Sequence, residues 1–167
     1  YVGWVIAAIR ETHARRPTTV MVTSDHGFYA YGRVLRPGVL LARAGLVTLN
    51  LRNRVAAWDA AALTSGGSTA FIPRAAGDTL VAQRIRRAIP DALVGPGKPI
   101  RSVWPPDTLR ALGGDPRAAW TIAMNEGFYS EAGYTGELLV PRSGGGHGYD
   151  PRDRALHAFF LSSGPGI

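Results

Sequence analysis

The 167-residue sequence contains no cysteine. That absence removes disulfide scaffolds, thiolate zinc sites and cysteine nucleophiles together, and it leaves the compartment open. Lysine is nearly absent too: Lys98 stands alone beside 18 arginines, and with 12 acids the formal net charge is +7. Such a balance suits an anionic partner. The arginines are nevertheless scattered in ones and twos, as in Arg15-Arg16, Arg52 and Arg54, or Arg86-Arg87, and no run of five or six basic residues forms a nucleic-acid arm. Specific nucleic-acid binding is therefore not expected. Apolar runs end at about eight residues, too short to span a bilayer. No basic stretch followed by an apolar core opens the chain in the manner of a signal peptide.

Hydrophobic residues make up 46% and charged residues 19% of the chain, the composition of a globular protein. The length suits one domain, residues 1–167. Glycine (21) and proline (12) are plentiful, so loops are frequent, but no Gly-X-Y period is present. Helical and extended patterns alternate. Val2, Val5, Ile6 and Ile9 recur at helical spacing up to Arg16, and Pro17 ends the run. Thr18 to Thr23 is a β-branched run that reads as a strand buried on both faces. A short helix over 37–44, closed by Gly45, precedes strands over 46–49, 55–58 and 69–72, the last two separated by a turn at Ser65-Gly66-Gly67-Ser68. Asp78 caps a helix with an apolar stripe at Leu80, Val81, Ile85 and Ile89, ended by Pro90. A second short helix runs from Asp107 to Leu112, and 118–124 reads as a strand. Residues 125–146 read as a Gly-rich loop with three aromatics, and 155–161 as a last strand. The pattern is α/β, with no internal repeat.

Two stretches carry chemistry. Ser24-Asp25-His26-Gly27 follows the first strand, at the carboxyl end where open α/β sheets hold their ligands. A carboxylate and an imidazole side by side offer O and N ligands to a zinc-like ion. The bland alternatives are an acid capping the next turn and an imidazole packed at the strand end. The second stretch, Ser143-Gly144-Gly145-Gly146-His147-Gly148-Tyr149-Asp150, sets a lone histidine in a glycine arm flexible enough to carry it to a distant site. Tyr149 and Asp150 are substrate-loop candidates, and Asp150 is placed to orient His147 from behind. An Asp before a proline also commonly starts a turn. Asn125, Glu126, Phe128, Tyr129 and Tyr134 either meet a substrate or pack on the sheet, the second being the commoner outcome. His157 fits packing in the last strand, and His13 lies on a polar helix face. Thr23 and Ser24 lack a neighbouring base and are poor nucleophiles.

Together, the run from Thr18 to Gly27, the run Gly146-His147-Gly148-Tyr149-Asp150-Pro151, and the ending from Phe159 through Ser163-Gly164-Pro165-Gly166 resemble the type I phosphodiesterase/nucleotide pyrophosphatase family of the alkaline phosphatase superfamily. The order and separation of the blocks match, and the resemblance covers the whole chain. It implies an alkaline-phosphatase-like mixed sheet flanked by helices, present only in part, with two divalent metal ions, usually zinc, at the strand ends. Asp25 and His26 match the pair that binds the metal nearest the nucleophile, and His147 matches a ligand of the other. The implied reaction is attack of a Thr or Ser oxygen on phosphorus, followed by hydrolysis of the phospho-enzyme. One metal acidifies the nucleophile and the other stabilises the leaving oxygen. Manganese or iron would also accept these ligands.

The sequence departs from that pattern in one respect. The family's first metal-binding Asp, its Thr/Ser nucleophile and an Asp-x-x-x-His pair fall before the equivalent of Tyr1, so no catalytic nucleophile is expected in this chain. The expectation is the C-terminal portion of a catalytic domain, inactive alone, from a hydrolase of phosphodiester or nucleotide pyrophosphate bonds with a small-molecule substrate. The resemblance also implies an exported, periplasmic or extracellular, enzyme. Asp25-His26 leaves open the phosphomonoesterases, phosphonate hydrolases, sulfatases and cofactor-independent phosphoglycerate mutases of the same superfamily. The positive charge leaves open a non-catalytic anion-binding protein on the same fold.

Overall fold

The computed structural model describes residues 1–12, 16–165 and 167. Tyr1–Gly27 and His157–Ile167 form one compact unit, and Phe28–Leu156 forms a second. His13, Arg15 at the expected helix end, and Gly166 of the closing motif lie outside the described residues.

In the smaller unit the helical spacing gives α1 (Val2–Thr12), and the β-branched run gives β1 (Val20–Thr23). β1 pairs antiparallel with the last strand, β11 (Phe160–Ser163), in the register Val20↔Ser163 to Thr23↔Phe160. The expectation that this strand is buried on both faces is not met. Val20 and Val22 are half-buried, whereas Met21 and Thr23 are exposed. A two-stranded ribbon with one helix beside it can cover only one of its faces. On that face Val2, Ile6 and Ile9 of α1, Val20, Val22 and Leu161 line an apolar cavity of about 910 Å³. β11 also begins later than its hydrophobic pattern suggests, because residues 154–156 turn as a 3₁₀ helix and His157 precedes the strand rather than lying in it.

The larger unit is built on β2 (Tyr29–Leu35), a strand whose mixture of tyrosines and glycine hides it from pattern reading. β2 pairs in parallel with β9 (Gly127–Ser130) and antiparallel with β10 (Leu139–Gly146), giving a mixed three-stranded sheet. Residues 125–146 are therefore not one long loop. The tyrosines of β2 supply the cover that glycines lack: Tyr29 faces Gly146 and Tyr31 faces Gly144 across the ladder. Pro141, which has no N–H to give the ladder, sits opposite Arg33, and a bulge follows between it and Gly144.

A second, antiparallel sheet has the order β5 (Ala60–Thr64), β6 (Ser68–Pro73), β8 (Trp120–Met124), β7 (Ile100–Trp104). A hairpin of β3 (Val47–Leu49) and β4 (Val55–Trp58) stands apart from both. α2 (Pro37–Arg43) and α3 (Thr79–Ala88) pack on this framework, and Leu35, Leu41, Phe71, Ile85, Ile100 and Ile122 form the fully buried centre. Asp78 caps α3 as its sequence predicts, accepting from the Val81 N–H at 2.9 Å. Val81, Ile85 and Ile89 are buried, but Leu80 points to solvent. The short α4 (Pro106–Ala111) begins one residue before the expected Asp107; it is entered through Pro105, and Asp107 lies in its first turn. A proline at the first helical position needs no partner for the N–H it lacks.

Candidate metal-binding residues at two strand ends

In the smaller unit, Asp25 and His26 leave β1 together. The Asp25 carboxylate accepts from the His26 backbone N–H at 2.9 Å, and its other oxygen lies 3.3 Å from His26 Nε2. His26 Nδ1 sits 3.0 Å from the Gly27 carbonyl oxygen. A carbonyl can only accept, so Nδ1 carries a proton in this arrangement. Nε2 and the carboxylate oxygen therefore face each other, an arrangement that favours a proton or a metal cation between them. The carboxylate side chain is 82% exposed and the imidazole 32%. The neighbouring hydroxyls are engaged in structure. Thr23 Oγ1 donates to the Phe159 carbonyl at 2.8 Å, and Ser24 Oγ accepts from the Phe159 N–H at 3.0 Å. Both stitch β1 to the approach of β11.

In the larger unit His147 follows β10 directly, and its surroundings are tight. Its carbonyl accepts from the Gly67 N–H at 2.8 Å, tying it to the turn between β5 and β6. Gly146 lies flat on the Tyr129 ring, where a Cβ would come within 2.3 Å. Gly148 has φ +80° and lies so close to Ser65 that a Cβ would stand 1.9 Å from the Ser65 carbonyl oxygen. The glycine arm is thus a packed strand and turn, not a flexible tether. The Phe28 ring meets the His147 imidazole edge to face, with centroids 5.7 Å apart.

Tyr149 and Asp150 are anchors of this turn. Tyr149 is buried, donates to the Phe128 carbonyl at 2.8 Å and packs edge-on against Tyr29. Burial pushes its phenol up to about 12. Asp150 is only 3% exposed, and both its oxygens receive the Arg152 guanidinium, at 2.9 and 2.7 Å. That fork of hydrogen bonds holds the carboxyl below its ordinary range. Arg152 in turn lies over the Trp104 ring. Phe128, Tyr129 and Tyr134 pack against the core, and Asn125 donates to the Gly95 and Lys98 carbonyls, so these loop residues serve the fold. Sequence reasoning found the Ser65-Gly66-Gly67-Ser68 turn but not its tie to His147, and it overlooked Phe28, Tyr29 and Tyr31. The available signal was the alternation of tyrosines directly after Asp25-His26-Gly27.

Among the described residues, neither unit gathers three or more His, Asp or Glu side chains able to hold a metal ion. The donor types are nevertheless those of a zinc-like site: one carboxylate with one imidazole in the smaller unit, one imidazole in the larger. No helix among the described residues is long and apolar enough to cross a membrane.

The mixed α/β architecture is shared, in part, with solved nucleotide pyrophosphatase/phosphodiesterases. Among solved structures the chain resembles murine ectonucleotide pyrophosphatase/phosphodiesterase 5, with a TM-score of 0.61 and 19% identity over 98% of this chain and 38% of that one. The human counterpart gives 0.61 and 16% over the same shares, and an inactive variant of the murine protein in complex with AMP gives 0.61 and 20%. The likeness is one of fold, and the chain spans well under half the length of these proteins. No protein-family model matches the chain, and no curated protein matches it by sequence.

Proposed function

We propose that this chain is the C-terminal portion of the catalytic domain of a two-metal hydrolase of phosphodiester or nucleotide pyrophosphate bonds. The observation that carries the reading is the Asp25–His26 pair at the end of β1. Its Nδ1 is committed to a carbonyl, and its Nε2 and a carboxylate oxygen are left facing each other at 3.3 Å. In this reading Asp25 and His26 hold one divalent ion, most simply zinc, and His147 contributes to the other. Such ions, when bound, neutralise charge on phosphoryl oxygens and acidify a nucleophilic hydroxyl. The remaining ligands and the Thr or Ser nucleophile come from sequence preceding Tyr1 in the full-length enzyme.

The chain's own residues do three things. The Gly27 carbonyl fixes the His26 tautomer, so that Nε2 is the coordinating atom. The Gly67 N–H and the close packing of Gly146 and Gly148 set the backbone of His147. The Asp150–Arg152 fork keeps the following turn from opening. A nucleotide or other small phosphodiester is the proposed substrate, supported by the fold shared with a protein solved with AMP. An exported location is part of the same proposal and rests on the family resemblance.

The test uses the complete reading frame. Bis(p-nitrophenyl) phosphate and p-nitrophenyl phosphate are assayed with and without chelation and zinc add-back, beside His147→Ala and His26→Ala. Diester hydrolysis that is lost on chelation, restored by zinc and abolished in both variants supports the reading. Absence of hydrolysis of either ester, with no metal retained, refutes it.

A further inference from the structure

The β3–β4 hairpin presents an unusual surface. Every residue from Asn50 to Asp59 is exposed, and this run holds Leu51, Val55, Ala56, Ala57 and Trp58. Leu51 is fully exposed at the tip. Single exposed leucines are common, but a run of apolar residues along one projecting hairpin is the kind of patch that marks an interaction site.

The tip is firmly built. Asn50 Oδ1 accepts from the backbone N–H groups of Arg52 and Arg54 at 2.9 and 3.1 Å, and the Asn50 N–H donates to the Arg54 carbonyl at 2.9 Å. Asn53 takes the left-handed conformation, φ 57°, that asparagine tolerates. The side chain of Leu51 is therefore presented by an ordered turn. Arg52 and Arg54 flank it, and Arg74 stands over the Trp58 ring at 5.8 Å. From Leu46 to Trp58 there is no acidic residue, and Asp59 at the base is paired with Arg84 at 3.1 Å.

A fully exposed leucine at the tip, an apolar strand with a tryptophan behind it and arginines without acids between them form the arrangement that enters the boundary of an anionic bilayer. The apolar tip is buried among the acyl chains, tryptophan lies at headgroup level, and the guanidinium groups meet lipid phosphates. We propose that this hairpin docks the protein peripherally on anionic membrane surfaces. Charge complementarity selects lipid over a neutral protein partner. The apolar tip selects lipid over a soluble polyanion, which would use the arginines and leave Leu51 in water.

The test is flotation of the protein from its complete reading frame with vesicles of phosphatidylcholine alone or containing phosphatidylglycerol, over a range of salt. Leu51→Ser, the pair Arg52→Glu with Arg54→Glu, and heparin binding by each are measured in parallel. Unchanged circular dichroism shows that these exposed substitutions leave the fold intact. Binding is expected only to the phosphatidylglycerol vesicles and should fall with salt. The double charge reversal should weaken it roughly thirty-fold or more, each arginine being worth about five-fold at such a surface. Leu51→Ser should weaken vesicle binding severalfold and leave heparin binding unchanged. Vesicle binding that is absent, that ignores lipid charge, or that survives both variants overturns the proposal, the last because the apolar face of the smaller unit would then be responsible. Equal indifference of vesicle and heparin binding to Leu51→Ser also overturns it, leaving a generic polyanion surface.

Discussion

Replacing Gly148 with alanine tests whether the turn that carries His147 is rigid. Two costs add there. At φ +80° an alanine Cβ crowds its own backbone, which is worth about 1–2 kcal/mol. The same Cβ would also lie 1.9 Å from the Ser65 carbonyl oxygen, so two backbone segments must separate by more than 1 Å to reach ordinary contact. Overpacking of this kind costs about 1–3 kcal/mol. The expected loss is about 2–5 kcal/mol, which for a domain of this size lowers the melting temperature by about 4–20 °C. Two companions separate the terms. Gly45→Ala, at φ +66° with nothing within 4 Å, pays only the backbone cost. Gly145→Ala has Phe28 at 3.9 Å as its nearest neighbour and should be close to neutral. Thermal melts followed by circular dichroism should rank the losses Gly148 first, Gly45 second, Gly145 last. If Gly148→Ala melts with Gly145→Ala, the turn is not held against Ser65, and the flexible-arm reading of the glycines returns.

Tyr29 donates a hydrogen bond to the Asp153 carboxylate, and this, with some burial, raises its phenol to about 12. A raised folded-state value means that this contribution is fully present below the unfolded value near 10 and is lost as pH climbs towards 12. Urea midpoints should therefore fall between pH 10 and 12, and Tyr29→Phe should flatten that fall; an unchanged slope in the variant would sink the assignment. Asp150→Ala should destabilise the chain by about 1 kcal/mol at neutral pH, because it removes a charge-assisted fork whose carboxylate is buried and whose guanidinium is largely exposed. Since its carboxyl is held low, the contribution should persist above the ordinary carboxylate range and vanish in acid, so wild type and variant should converge in urea titrations as pH falls.

How far the sequence could be read depended on whether a pattern was local. Asp78 and its buried stripe are local, and α3 follows them. The strand ending in Asp25-His26 was also legible, because a β-branched run stopping at polar residues needs no knowledge of its partner. Its burial was not legible, since burial depends on how many neighbours a strand acquires, and among the described residues β1 pairs with one. β2 escaped because tyrosine counts as neither clearly polar nor apolar, and an internal glycine breaks the alternation. The roles of Tyr149 and Asp150 rest on partners 21 and two residues away, and only the second lies within reach of local reading.

The glycines of 144–148 show why the same letters support opposite conclusions. A glycine cluster with nothing against it is free to move. One opposed by aromatic rings is among the most confined kinds of backbone, because the missing side chain is the space the ring occupies. Here the rings come from far along the chain: Tyr31 over Gly144, Tyr129 over Gly146, with Tyr31 and Tyr129 stacked at 4.5 Å. The two candidate ligand positions are consequently held by different means. His26 is oriented through its ring, by a hydrogen bond to the adjacent carbonyl, and His147 through its backbone, by glycine packing and the Gly67 N–H. A metal site tolerates only about 0.5 Å of error in its ligands. Under the proposed function, substitutions at Gly146, Gly148 or Tyr129 should therefore degrade the site without touching a ligand atom, whereas equally conservative changes in the exposed β3–β4 hairpin should not.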